Sequence, residues 1–221
     1  MYYLLALLLV FSPCSANEVV TCRDLGMRFD LQMLEEELAR VEDAYMPRRP
    51  HNSSHWTAIP LRNSTGTHTR EGVELINTVK HKKMLPCQDT IFMQELPYIA
   101  SILDEIRQKF ETEVGLVRLS KVPSGKEIPR HRDGNEFDIY DGAIYRLHIP
   151  VFTGENVTFE LDSNRYHLEA GTLYYTNVAK LHSVQNNGSL DRVHIIIDVH
   201  ASELLKQHIL QSTEILPFTK K

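Results

Sequence analysis

His131, Asp133 and His182, followed by Arg192, are the residues whose types and order could do chemistry together. Two imidazoles and one carboxylate can hold one face of a divalent metal and leave the other face open, a set that suits Fe(II) and dioxygen chemistry. His131 and Asp133 are two apart, so in extended backbone they project to the same side. Arg192 adds a planar fork for a carboxylate, and metal and fork together fit iron with 2-oxoglutarate as cosubstrate. Singly, each residue has a plainer reading. Arg130, Arg132, Glu136 and Asp138 surround the first pair as in a surface loop, His182 beside Leu181 and Val184 could be a hydrogen-bonded rim residue, and Arg192 could pair at a barrel edge. A second set, His167-X-Glu169 with His200, has similar ligand types but no Arg after His200, so it reads as polar strand residues with a structural His167.

The elements that must position these residues are mostly strands. From Gly115 onward, short alternating runs separated by turn signals predict strands at 117–122, 144–151, 157–161, 166–168, 172–176, 182–185 and 192–199. Asn187-Gly188 is a favoured two-residue hairpin turn. In the run from Ile144, Arg146 and His148 share one face while Tyr145, Leu147, Ile149 and Val151 share the other. In the last run Arg192, His194, Ile196 and Asp198 lie opposite Val193, Ile195, Ile197 and Val199. Each strand thus has a polar, chemically equipped face and an apolar one, as a barrel with a polar mouth requires. Before this region, Leu31, Leu34, Leu38, Val41 and Tyr45 recur at three- and four-residue steps and predict a helix over 29–45. A polar loop with one short strand at Ala58–Leu61 follows, then a second helix over 97–111 with Pro97 in its first turn. The expected fold is α+β, mainly β: a double-stranded β-helix, jelly-roll or cupin-like, braced by N-terminal helices.

Composition bounds the rest. With 221 residues, 42% hydrophobic and 24% charged, the chain suits one well-buried domain rather than two. A formal charge of −5 gives no reason to expect nucleic acid as a partner. Residues 1–16 carry no charged side chain, and their apolar run is far shorter than the roughly 20 residues that cross a bilayer. They read as a secretory signal peptide and predict a lumenal or secreted protein without a stable membrane span; an uncleaved anchor or a buried apolar start is the alternative. Cleavage after Ala16 would leave Cys22 and Cys87, either as a disulfide or as two separate thiols. Sequons at Asn52, Asn63, Asn156 and Asn187 would then be glycan acceptors. The expected organisation is the leader at 1–16, then one catalytic domain over 17–221. Within it, 17–114 gives helical and strand support, 115–202 the jelly-roll core and 203–221 a C-terminal helix and tail.

The runs LSKVPSGKEIPRHRD from Leu119, YRLHIPV from Tyr145 and LHSVQNNGSLDRVHIIIDV from Leu181 resemble the aspartyl/asparaginyl β-hydroxylase family of 2-oxoglutarate oxygenases. The resemblance covers roughly residues 56 to 202, and motifs in joint order are specific where each alone is not. It implies that His131, Asp133 and His182 bind iron, that Ser120 and Arg192 meet the distal carboxylate of 2-oxoglutarate, and that His148 lies near its metal-chelating carboxylate. Arg146 would reach the cosubstrate or a substrate carboxylate, with an interior salt bridge as the alternative. The implied reaction is hydroxylation of a C–H bond in a small-molecule or peptide substrate. A secreted jelly-roll module that binds a metal or carbohydrate without catalysis is the rival reading.

Overall fold

The computed structural model describes residues 20–47, 56–69, 79–80 and 83–218. The leader, Arg48-Arg49 and the sequon at Asn52 lie outside them. The first strands are β1 (Cys22–Arg28), β2 (Met46–Pro47), β3 (Thr57–Asn63), β4 (Val79–Lys80), β5 (Lys83–Met84) and β6 (Gln88–Asp89). The barrel follows with β7 (Val114–Val122), β8 (Glu127–His131), β9 (Ile144–Phe152), β10 (Val157–Leu161), β11 (Asn164–Tyr166), β12 (Thr172–Thr176), β13 (His182–Asn186) and β14 (Arg192–His200), and β15 (Thr213–Glu214) ends the set. The α-helices among the described residues are α1 (Leu31–Arg40), α2 (Pro97–Phe110) and α3 (Glu203–Gln211).

The larger sheet runs β15-β1-β12-β9-β14-β7-β3-β2, with β6 also on β3, and the smaller runs β11-β10-β13-β8. From β7 to β14 the chain steps back and forth between the two, the topology of a mainly-β jelly roll. Alternation decides what each face buries. Val117, Leu119, Tyr145, Leu147, Ile149, Val193, Ile195 and Ile197 pack outward against Leu34 and Leu38 of α1, Ile99 to Phe110 of α2 and Leu205 and Ile209 of α3. The opposite face looks into the barrel, where Trp56, Phe159, Leu161, Tyr174 and Val184 form a second apolar cluster.

Local chemistry sets the helix ends. The Asp30 carboxylate accepts the Met33 amide at 3.1 Å and caps α1. Pro97 opens α2, and the buried Glu37 carboxylate of α1 accepts the Tyr98 and Ile99 amides at 2.6 and 2.9 Å. The expected 29–45 helix is shorter as an α-helix: it ends at Arg40, and one 3-10 turn at Glu42–Ala44 carries the chain on.

Other expectations need correction. Asn187-Gly188 is not a hairpin, because β13 lies in the smaller sheet and β14 in the larger. The Asn186 side chain builds that corner, donating to the Val122 and Leu190 carbonyls and accepting the Gly188 amide. The strand expected at 166–168 lies at Asn164–Tyr166 and forms a hairpin with β10 through Asp162 and Ser163, both at positive φ. Cys22 and Cys87 are free thiols, not a disulfide; Cys22 is buried and its pKa is pushed up by that burial. Asn63 is also fully buried, its amide donating to the Thr67 carbonyl and accepting from Thr65, so the folded chain offers no glycan acceptor there. Asn156 and Asn187 are exposed.

Candidate metal centre and its pocket

His131 ends β8 and His182 begins β13, and the two are direct partners in the antiparallel register. Their ring centroids lie 4.2 Å apart. Asp133 follows His131 by two residues; its amide donates to the Val178 carbonyl at 3.0 Å, and its Oδ1 lies 3.7 Å from His131 Nε2. Ligand-capable atoms of all three residues fall within 4.8 Å of one another. The tautomers agree with that purpose. His131 Nδ1 is 2.7 Å from the Pro129 carbonyl and His182 Nδ1 is 2.9 Å from the Lys180 carbonyl, so each Nδ1–H donates and each Nε2 keeps a lone pair for a metal. The residues present therefore fit a divalent ion. His167, Glu169 and His200 do not form such a group.

Asp133 is held from behind. Its Oδ2 pairs with Arg146 Nη1, while Arg146 Nε and Nη2 donate to the two oxygens of Asp198 at 2.7 and 2.8 Å. The Arg146 guanidinium also stacks over the Phe137 ring at 4.4 Å. Arg146 thus forms the interior ion pair that its strand position also allowed, and its fork is taken up by two carboxylates. Burial by itself would raise the Asp133 carboxyl, but Arg146, then His182, His131 and Arg118, outweigh it and hold the group down at about 2. Burial first, and then His131, lowers His182 to about 4.

Ser120, His131, Asp133, Arg146, His148, His182 and Arg192 all line one cavity of about 480 Å³, open mouth included. Every site residue expected from the sequence is therefore brought together. Arg192 is 2% exposed, and burial depresses its pKa to about 9. Its Nη2 donates to His194 Nδ1 at 2.9 Å and its Nε has no partner among the described residues. Neither ring nitrogen of the buried His148 has one either. Burial, then the charge of Arg192, holds His148 well below the usual imidazole range. Unsatisfied buried donors cost free energy, so these atoms mark where a polar or anionic ligand belongs.

Sequence reasoning missed Arg118, Trp56 and Phe159 in the cavity wall and left Asp198 and His194 without a role. Arg118 was within reach, because it lies two residues before Ser120 and so shares its face. Asp198 was not, since its partnership with Arg146 depends on β9–β14 register.

The profile of the family described as aspartyl/asparaginyl β-hydroxylase matches residues 27–202. The chain belongs to this family. The hydroxylase-family match spans α1, the whole barrel and every residue of the candidate metal centre. L-proline cis-3-hydroxylase 1 from a Streptomyces species is 23% identical over 74% of this chain and 53% of its own length. The chain thus spans about half the length of that curated relative. Among solved structures, an oxidoreductase of the 2OG-Fe(II) oxygenase family from Burkholderia pseudomallei superposes with a TM-score of 0.51 at 13% identity, covering 77% of each chain. HygX from Streptomyces hygroscopicus, bound to nickel, 2-oxoglutarate and hygromycin B, gives 0.51 at 9% identity over 83% of this chain and 84% of that one. These two similarities speak for the shared fold.

Proposed function

We propose that the protein is an Fe(II)- and 2-oxoglutarate-dependent dioxygenase that hydroxylates a C–H bond of an amino-acid or peptidyl Asp/Asn-like substrate, releasing succinate and CO2. The observation that carries this reading is the pairing of His131, Asp133 and His182, tautomers set for a metal, with a buried Arg192 whose Nε is unpartnered in the same cavity. Family membership supports it, and the likeness to a proline hydroxylase puts free amino acids beside peptides among the candidates.

His131 Nε2, His182 Nε2 and an Asp133 oxygen would hold the metal, and Fe(II) bound there supplies dioxygen activation coupled to oxidative decarboxylation of 2-oxoglutarate. Around it the chain's own groups bind and orient. Arg192 and Ser120 take the distal carboxylate, with His194 Nδ1 accepting from the Arg192 fork. His148, kept neutral by burial, has ring N–H capacity to offer the other carboxylate. Arg146 keeps Asp133 ionised and fixed. Trp56, Phe159, Val184 and Ile196 give the cavity apolar walls that exclude water.

The test incubates the protein with Fe(II), 2-oxoglutarate and L-aspartate, L-proline or Asp- and Asn-containing peptides, following succinate and a product gain of about 16 Da for one inserted oxygen. Asp133→Ala should abolish or strongly reduce succinate formation, and unimpaired turnover in that variant would remove Asp133 from the ligand set. A wild-type protein that binds the metal but never decarboxylates 2-oxoglutarate, and is indifferent to Arg192→Ala, would be a binding module instead.

A further inference from the structure

β8 carries His131, forms part of the cavity rim and is the edge strand of the smaller sheet. β13 pairs with one side of it, and no described strand pairs with the other. Ile128 and His131 both line the cavity although they are three residues apart, because the register shifts between them. That irregularity, with Pro129 inside it, keeps most of the edge from templating a further strand. The stretch that follows, Arg130 to Arg132, stays open.

One bond fixes the backbone directions there. The Asp133 amide donates to the Val178 carbonyl, on the chain leading into β13. His131, two residues earlier and level with His182, therefore also turns its amide and carbonyl toward β13. Arg130 and Arg132 turn theirs outward, and among the described residues no turn or loop bonds the backbone of either one. Side chains alternate too. His131 faces the cavity, whereas Arg130 meets Glu160 at 2.9 Å on the opposite face of the smaller sheet and stays half exposed. Arg132, exposed, shares that outer face. The surface charge also reverses locally: Lys126, Arg130 and Arg132 stand against Glu127 alone, in a chain whose net charge is −5.

An extended peptide laid antiparallel along this edge would be held by backbone hydrogen bonds to Arg130 and Arg132, as strands added to a free sheet edge are. Its residue opposite His131 would then stand in the close, non-hydrogen-bonded kind of pair, with Cα atoms about 4.5 Å apart. Residues directly opposite share a face, so that side chain would leave the peptide toward the cavity, its Cβ about 5 Å from that of His131. The residues before and after it would turn outward beside Arg132 and Arg130. A free amino acid has no such neighbours and gains none of these bonds.

We propose that β8 docks the molecule that is hydroxylated as an added strand: a short, extended, acidic peptide with its acceptor residue opposite His131 and a carboxylate side chain on either side of it. The acceptor's role rests on the hydroxylase reading above, whereas the docking itself is tested without turnover.

The experiment uses the full chain with Ni(II) in place of Fe(II), titrates it with 2-oxoglutarate by calorimetry, and then titrates the loaded protein with acetyl-Thr-Glu-Asp-Glu-Thr-amide. At about ten times its dissociation constant the peptide should slow hydrogen exchange at the Arg130 and Arg132 amides by about tenfold and leave the His131 amide unchanged. N-methylation of either Glu removes one hydrogen bond to β8 and should weaken binding by about fivefold, whereas N-methylation of the Asp, whose N–H points away from β8, should cost less than about twofold. Arg132→Glu should weaken this peptide by about fivefold and bind the Lys-Asp-Lys analogue more tightly than the Glu-Asp-Glu one. Equal losses from all three N-methyl peptides, an unchanged preference in Arg132→Glu, or no peptide binding would each overturn the proposal. So would protection of the two amides that grows with protein concentration in the absence of peptide, which would assign the edge to a second copy of this chain. If 2-oxoglutarate fails to bind the wild type, the cosubstrate reading falls, and the exchange pattern still decides the docking. Turnover of L-aspartate or L-proline by a protein that binds no peptide keeps the hydroxylase reading and removes this one.

Discussion

At the residue scale the site is a short chain of charges, Asp133 to Arg146 to Asp198, ending on the candidate metal position. Asp198 touches no metal-facing atom, yet it takes both Nε and Nη2 of Arg146 and so fixes the guanidinium that fixes Asp133. Asp198 is 1% exposed and Arg146 is equally deep, so removing one partner strands a buried charge. Asp198→Ala should therefore cost about 3–5 kcal/mol of stability in denaturant titration. It should also weaken Ni(II) or Fe(II) binding by roughly ten- to a hundredfold, the usual effect of losing support behind a ligand. Unchanged metal affinity would mean that Asp133 is positioned by the Val178 carbonyl and its own backbone, without help from the ion pair.

At the element scale, one carboxylate joins the two helices that back the larger sheet. Glu37, buried on α1, accepts the first amides of α2, whose Pro97 has none to offer. Glu37→Ala leaves those amides unsatisfied and should cost about 1–3 kcal/mol, with faster hydrogen exchange at Tyr98 and Ile99. A loss below roughly half a kcal/mol would show that water replaces the cap. The helices were legible in sequence because their period is long and regular, and β9, β10, β12 and β14 were legible because they alternate. β8 was not: Glu127–His131 is a mostly exposed edge strand with a proline in it, so it lacks an apolar rhythm. β1 was hidden by its irregular register between Asp24 and Arg28, where Gly26 takes a positive φ and its amide bonds Asp24. The β10–β11 turn escaped because Asp162-Ser163 adopts positive φ without the glycine that usually signals it. The site fared better than the strands around it. His131, Asp133, His182 and Arg192 are legible by type and order, whereas the paired role of Arg146 depends on which strands become neighbours.

At the scale of the whole molecule, the barrel spends stability to keep an anion-binding interior dry, and pH should reveal it. His148 and His194 are fully buried, and burial, then Arg192, holds both well below the imidazole range. In the unfolded chain the same groups titrate near 6.5. Below that pH the unfolded state takes up protons that the native state refuses, so stability is full above about 6.5 and falls as the pH drops toward the native values. His182, lowered to about 4, acts in the same window, so the slope should approach about 1.4 kcal/mol per pH unit for each histidine, or about 4 for the three. Asp133 contributes in a separate window: its lowered pKa stabilises the fold above about 4, and that contribution is lost only as the pH falls toward 2. Denaturant titrations of the metal-free protein from pH 7.5 to 5.5, in steps of about half a unit, should show a steady fall in stability. His194→Gln should flatten that fall by about a third, since His148 and His182 still titrate. A stability that is level or rising toward pH 5.5 would mean that the interior admits protons, and an interior open to protons could not keep Arg192 waiting for a carboxylate.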